Sequence, residues 1–364
     1  MKTITILVGS NTKEIFTLKF DPSAKSLVKS SSVTVGTKPS WLTAHPGNKS
    51  VVFTALKIPN AKLIAVQYDQ EGDGKVMAEV SCQGDGPSSL VAGRHEVVVG
   101  NYDNGNIFTI PILEEAPFID VGSNRSQVLQ LTGDGPHPTR QTSSHPHQVV
   151  LEPSDGEVFV PDLGSDKTWR LARNQDGVYR LSENFIPSYP GSGPRHAAFY
   201  GDHIYILHEL NNTLSSFPLR SRADHDVASC SLPSTALFAD AIKTPDAVTA
   251  GEILIPRPND AFSTPYIYVS NRYDGRTDGG DTIAIFQITD PSTGQFELVT
   301  EIETDFKQLR GMGFVGEDGR WLVTGGVFNG GTKIYERVND GKGLQLVAEN
   351  HEVDLPTAFL ELAS

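Results

Sequence analysis

Cysteine is nearly absent. Cys82 and Cys230 are the two in 364 residues, too few for a disulfide framework and without the spacing of a zinc site. No run of about 18 apolar residues occurs, so no helix is expected to cross a membrane. Positive charge is also scarce. Lys and Arg total 30 against 44 Asp and Glu, a net charge of −14, which excludes a polyanionic nucleic acid as the expected partner. Amphipathic helical periodicity is missing between the strand-like runs, which argues against a doubly wound α/β fold. The chain has no phosphate-loop motif, no Gly-rich fingerprint opening a helix, and no G-x-S-x-G elbow. The N-terminus, MKTITILVGSNTKE, enters a strand pattern at once and lacks the apolar core of a signal peptide. Sequons at Asn48, Asn124 and Asn211 are about what chance supplies. The expected compartment is therefore the cytoplasm, with a secreted form whose leader has been removed as the other reading.

Glycine and proline are plentiful, at 34 and 23, as suits many short strands joined by turns. Six segments repeat one plan: a small or Pro-containing start, a short apolar strand, a turn, a second strand ending in a polar residue, then a third strand. They begin at Pro39, Gly86, His145, Gly193, near Ala239, and at Leu309. The fifth is interrupted and resumes at PYIYVSNRYDGRTDGGDTIAIFQI. The spacing approximates a four-stranded propeller blade. Two longer intervals, Leu113–Ser144 and Lys243–Thr264, read as loop insertions.

The tail around Leu355–Leu362 reads as a first strand, and TITILVGS with EIFTLKFD as a second and third. Pairing the two ends closes the ring without an open edge. The expectation is an all-β, seven-bladed β-propeller formed by residues 1–364 as one domain.

In such a ring, equivalent repeat positions meet around one axis. First strands begin with His147, Arg195, Asp240 and Arg310, with Ser88 and Thr357 in the matching places. Second strands end with Asp162, Glu209 and Asn271-Arg272, and Arg140 precedes the His145-Pro146-His147 segment. An imidazole, a carboxylate and several guanidiniums suit acid–base chemistry on an anionic substrate. Each residue also has a structural reading. His145 is expected to support His147, and Asp162 and Asp240 to bind turn amides. No zinc set is evident. Asp162, Glu209, Asp240 and Asn271 would be the donors of any channel calcium.

The segments RQTSSHPHQVVLEPSDGEVFVPDLGSDKTWRL, GPRHAAFYGDHIYILHELNNTL and YIYVSNRYDGRTDGGDTIAIFQI resemble the lactonase family of seven-bladed propellers. That family includes bacterial 6-phosphogluconolactonases and fungal 3-carboxy-cis,cis-muconate cyclases. The resemblance implies a catalytic set of His147 in HPHQ, Arg195 in GPRH, Glu209 in HELNNT and Arg272 in SNR. Arg140, His145, Asp162, Asn271 and Arg310 are expected to bind substrate around them.

The implied activity is metal-independent and cofactor-free hydrolysis of an acidic or sugar lactone. His147 would be the general base, Glu209 would assist proton transfer to the leaving alkoxide, and arginines would hold the anion. The alternatives are cyclisation of a carboxymuconate by the same residues, a calcium-dependent sugar lactonase, and a non-catalytic binding propeller.

Overall fold

The second strand of each repeat is buried along nearly its whole length, with an apolar centre, because both of its faces are covered. In the strand Val51–Leu56, Val51, Phe53 and Ala55 enter one apolar cluster, while Val52 and Leu56 enter another. This is the two-residue alternation of a strand, with a neighbouring blade on each side. Fourth strands, such as Gln295–Glu303, are mostly exposed and correspondingly polar.

A computed structural model describes residues 2–154, 156–219, 235–236, 249–272 and 279–363. It contains seven antiparallel sheets, each a blade of four strands, one of which carries a short fifth strand. First strands of neighbouring blades lie against each other and line the axis. Seven apolar clusters fill the seven interfaces between blades.

The first blade pairs the C-terminal strand Pro356–Glu361 with Ile4–Ser10, followed by Glu14–Asp21 and Ser26–Thr34. Its register runs from Ile6 opposite Glu361 to Ser10 opposite Pro356, so the ring closes through both ends of the chain, as expected. The second and third blades begin at Pro39 and Pro87. The fourth has Val150–Leu151 as a short inner strand before Glu157–Asp162. The fifth begins with Pro194–Tyr200 and His203–His208, and the seventh with Leu309–Val315.

Two boundaries differ from the sequence reading. The inner strand of the sixth blade is Thr249–Leu254, inside the stretch read as an insertion, not the segment at Ala239. Its TAGEIL run is short and carries a buried glutamate, which weakens the apolar signal. Asp240 lies outside the described residues, as does Cys230. Likewise Leu113–Ser144 is not all loop, since Gln127–Gln130 forms the outer strand of the third blade.

The inner strands share a device that positions the site. Pairing with the second strand skips one residue near the strand start. The skipped residue is Ser88 between Pro87 and Ser89, Arg195 between Pro194 and His196, Arg310 between Leu309 and Gly311, and Thr357 between Pro356 and Ala358. An extra residue of this kind bends the strand and re-aims its side chain. Ser88 donates to the Pro146 carbonyl at 2.8 Å and Thr357 to the Ser40 carbonyl at 3.0 Å, tying one blade to the next. Arg195 and Arg310 occupy the same position.

Candidate active site

Glu209 follows the second strand of the fifth blade and is buried, with 4% of its surface exposed. Its Oε1 accepts from Arg140 Nη2 at 2.6 Å, and its Oε2 from Arg195 Nε at 2.8 Å. Arg272 Nη2, from the sixth blade, lies 3.0 Å from Oε2. Burial alone would raise the carboxyl, but Arg272, Arg195 and Arg140 together outweigh it and hold Glu209 below the usual carboxylate range. Glu209 is therefore an anion with no proton to donate. This corrects its expected part in protonating the leaving group. Its oxygens organise three guanidiniums.

The arginines are fixed on their far sides as well. Arg272 donates through Nε and Nη2 to the Ala250 carbonyl, at 3.2 and 2.8 Å. Arg195 donates through Nη1 to the Gly251 carbonyl and, at 3.0 Å, to His196 Nε2. A Cβ on Gly251 would stand 2.4 Å from Ser270 Oγ of the adjacent second strand and 2.9 Å from the Leu309 carbonyl of the next inner strand, so this close approach needs glycine there. Burial, with Arg272 close by, pushes Arg195 down to about 9, which still leaves a cation at neutral pH.

The turn entering Arg195 is anchored by Asp166, which accepts from Gly191 N at 2.6 Å and Gly193 N at 2.8 Å. Gly193 has φ of 63°, a conformation that favours glycine. Asp166 also accepts from Gln141 Nε2 at 2.7 Å, which ties the Arg140 segment to the same turn.

His147 occupies the fourth blade's counterpart of the Arg195 position, just after Pro146 pairs with Asp162. Its Nε2 is 3.8 Å from Glu209 Oε2, beyond hydrogen-bonding range, and its Nδ1 has no hydrogen-bond partner among the described residues. Burial, then the charge of Arg195, His196, Lys57 and Arg310, holds its pKa well below the ordinary 6.5. At neutral pH it is an uncharged imidazole able to take a proton.

The remaining expected residues divide. Arg140 joins the cluster through Glu209. Arg310 acts on it electrostatically, its charge being felt at His147, Arg195 and His196. His145 stacks on Tyr102, with ring centroids 4.5 Å apart, and bonds through Nδ1 to the Tyr102 carbonyl at 2.8 Å. Tyr102 in turn meets the edge of His147, with centroids 5.6 Å apart. His145 thus positions the wall behind His147.

Asp162 and Asn271 are not presented to a substrate. Asp162 is fully buried and accepts from Ser144, Ser165, Trp169 and the amides of His145 and Gly164. Asn271 is fully buried and donates to Thr282 Oγ1 at 3.1 Å. The proposed calcium donors fit poorly for the same reason. The oxygens of Asp162 face hydrogen-bond donors and those of Glu209 face guanidiniums, an arrangement that repels a cation.

Two groups escaped the sequence reading. His196 and Glu252 form a buried pair beneath the arginines, with Nδ1 2.6 Å from Glu252 Oε1. Arg195 donates to the other ring nitrogen, so His196 is the neutral tautomer that donates to Glu252. Burial lowers its pKa to about 4 even though Glu252 pulls it upward. Glu252 was hidden because its strand was placed ten residues or so too early. Lys57 follows Val51–Leu56 directly, at the repeat position of Glu209, and that equivalence is the signal that could have found it.

One cavity meets this cluster at Glu252 and a second lies away from it. The first, of about 410 Å³, is the apolar channel itself, lined by Trp41, Phe199, Ile253 and Met312, with Gln148 and Glu252 at its polar end. A larger one, about 720 Å³, opens between the third and fourth blades and includes the Glu96–Arg173 ion pair. It contains the turn of residues 93–95, at the opposite end of the strands from Glu209, and none of the residues predicted for the site. The convergence of charge, rather than cavity size, singles out the candidate site.

Similarity to known proteins agrees with the seven-bladed fold. The family described as "Lactonase, 7-bladed beta-propeller" matches residues 5–360. The chain belongs to this family. It is 25% identical over 339 residues to a protein of Arthroderma benhamiae named as a probable 6-phosphogluconolactonase, covering 90% of this chain and 81% of that one. A 6-phosphogluconolactonase of Formosa agariphila is 26% identical over 327 residues, covering 85% and 84%. The periplasmic gluconolactonase of Pseudomonas aeruginosa superposes with a TM-score of 0.81 at 21% identity, covering 100% of this chain and 99% of that one, and thus shares the fold. No helix among the described residues is long and apolar enough to cross a membrane.

Proposed function

We propose that this lactonase-family propeller hydrolyses the ring ester of an anionic sugar lactone, of the 6-phosphogluconolactone class. The observation that carries the reading is the pairing of a neutral buried imidazole, His147, with three guanidiniums gathered on one carboxylate. Three positive charges against one negative leave a net charge of two, before Arg310 and Lys57 are added. Such a mouth favours a phosphate or carboxylate over a neutral sugar. The relatives named as 6-phosphogluconolactonases support that substrate class.

His147 takes a proton from water as the water oxygen attacks the lactone carbonyl. Each guanidinium has five N–H donors, and the bonds to Glu209, Ala250, Gly251 and His196 leave some of them for substrate. Those of Arg195 and Arg272 stabilise the tetrahedral oxyanion or hold the substrate's anionic group, already oriented by Glu209 and needing little rearrangement. The ring C–O bond then breaks, and the ring oxygen leaves as a hydroxyl after gaining a proton.

The test is proton release from 6-phosphogluconolactone, generated in situ, with gluconolactone and 3-carboxymuconate assayed in parallel. Turnover of the phosphorylated lactone that is lost in His147→Ala supports the reading. Ring closure of the muconate without lactone hydrolysis would assign the same residues to cyclisation. A folded protein that turns over none of them would be a binding propeller.

A further inference from the structure

The leaving ring oxygen needs a proton, which in the lactonase reading comes either from His147, once it has taken one from water, or from a separate donor. Glu209 is an anion beneath three arginines. Guanidiniums keep their protons. Tyr102 is pushed up by burial. We propose that Lys57 is the proton carrier of this mouth and that its ammonium protonates the ring oxygen as the lactone opens. This step rests on the lactonase reading.

Position is the first argument. Lys57 immediately follows the second strand of its blade, as Glu209 follows His203–His208 and as Arg272 ends Tyr266–Arg272. The repeat therefore delivers ammonium, carboxylate and guanidinium to one ring of the propeller. Contact is the second. Lys57 Nζ stands 5.6 Å from the centroid of the Tyr102 ring, the ring against which His145 stacks and His147 sets its edge. One aromatic side chain thus carries the base and the ammonium together. Access is the third, since Lys57, though largely buried, keeps part of its surface exposed.

The charged and titratable groups around Lys57 come from three other blades. Burial is the largest influence on it, followed by repulsion from Arg310 of the seventh blade and Arg195 of the fifth. Asp103 of the third blade and Glu209 of the fifth pull the other way. The balance brings the ammonium down to about 7, where a lysine both gives and regains a proton at neutral pH. His147 feels the Lys57 charge in turn.

The step balances. Water's oxygen bonds to the carbonyl carbon and its proton goes to His147. The carbonyl-to-ring-oxygen bond breaks, the ring oxygen keeps the electron pair, and Lys57 Nζ supplies its proton. Solvent then takes the proton from His147 and restores one to Lys57. The sum is lactone plus water giving the open hydroxy acid.

The experiment compares the pH dependence of kcat for the unmodified protein, Lys57→Arg and Lys57→Met on 6-phosphogluconolactone and gluconolactone. The expected result is a fall in kcat as pH rises through neutrality. In Lys57→Arg, which keeps the charge but not an exchangeable proton, kcat drops by about 100-fold or more and that limb disappears. Lys57→Met loses kcat similarly and also raises KM for the phosphorylated substrate. NMR of the unmodified protein labelled with 13C and 15N at lysine side chains should show one ammonium titrating near neutrality that is absent in Lys57→Arg. Full kcat with an unchanged alkaline limb in Lys57→Arg would make Lys57 an anion binder and overturn the step alone. An ordinary Lys57 titration near 10.4 would do the same. Absence of lactone turnover by the unmodified protein overturns the lactonase reading, and this step with it.

Discussion

Replacing Glu209 by Gln tests the organisation of the site most directly. Gln has nearly the same shape, so the change removes charge rather than volume. It leaves Arg195, 1% exposed, and Arg272, 4% exposed, without their anion, and it turns an amide NH₂ toward a guanidinium. Arg140, with 38% of its side chain exposed, is partly rescued by solvent and adds little. Breaking a buried ion pair by removing one partner costs about 3–5 kcal/mol. At roughly 2.1 cal/mol/K of unfolding entropy per residue, a chain of 364 residues loses about 1.3 °C of Tm for each kcal/mol. The expected drop is therefore about 4–7 °C, read by calorimetry or by denaturant unfolding at pH 7.

The sign of the pH dependence provides a second check. Glu209 is held below its ordinary 4.5, so the unfolded chain binds its proton first as pH falls. Its contribution is complete above that value and is lost progressively as pH falls toward the depressed folded value. The gap between the unmodified protein and Glu209→Gln should be flat from pH 7 to 5, then shrink by about 1.4 kcal/mol for each further pH unit. A gap below about 1 kcal/mol at pH 7, or one that stays constant into acid, would refute the charge-organising role.

His147→Ala should lower kcat by about 100- to 10,000-fold with little change in Tm, as measured by steady-state lactone hydrolysis beside thermal melts. Because the His147 pKa is held well below 6.5, kcat/KM of the unmodified protein should show no loss of base as pH falls from 8 through 6.5. Arg272→Lys keeps the charge but not the fork that grips Ala250 and Glu209. It should raise KM for the phosphorylated lactone more than for gluconolactone, a ratio obtained by assaying both. Cys82 is fully buried and its thiol is raised to about 12 by that burial. Mass-spectrometric mapping after brief alkylation should find it unmodified in the native protein and labelled after unfolding.

The seven-bladed ring was legible because its causes are local. Second strands such as VVFTAL and YIYVSNR open on apolar runs since two neighbouring blades cover them, and the turns between them bear their own residue signatures. Closure was legible too, since the ends supply complementary parts of one blade. The repeat register also brought His147, Arg195, Glu209 and Arg272 to the same mouth, because equivalent positions must meet around an axis. The inner strand Thr249–Leu254 was missed where local signals ran out. It is short, carries Glu252, and lies among prolines and polar residues.

What only the tertiary structure decided is the state of each group in the mouth. The single letter at Glu209 allows a proton carrier or an anion; Arg195 of its own blade, with Arg140 and Arg272 from outside it, makes it an anion. Asp162 ends one second strand and Glu209 directly follows another, yet hydroxyls, an indole and amides surround the first while guanidiniums surround the second. Lys57 is an ordinary surface letter until burial, joined by the charges of Arg310 and Arg195, lowers its ammonium. Protonation and role follow from burial and from the charges within a few ångströms. Most of those neighbours come from other blades, so no local pattern of the chain encodes them.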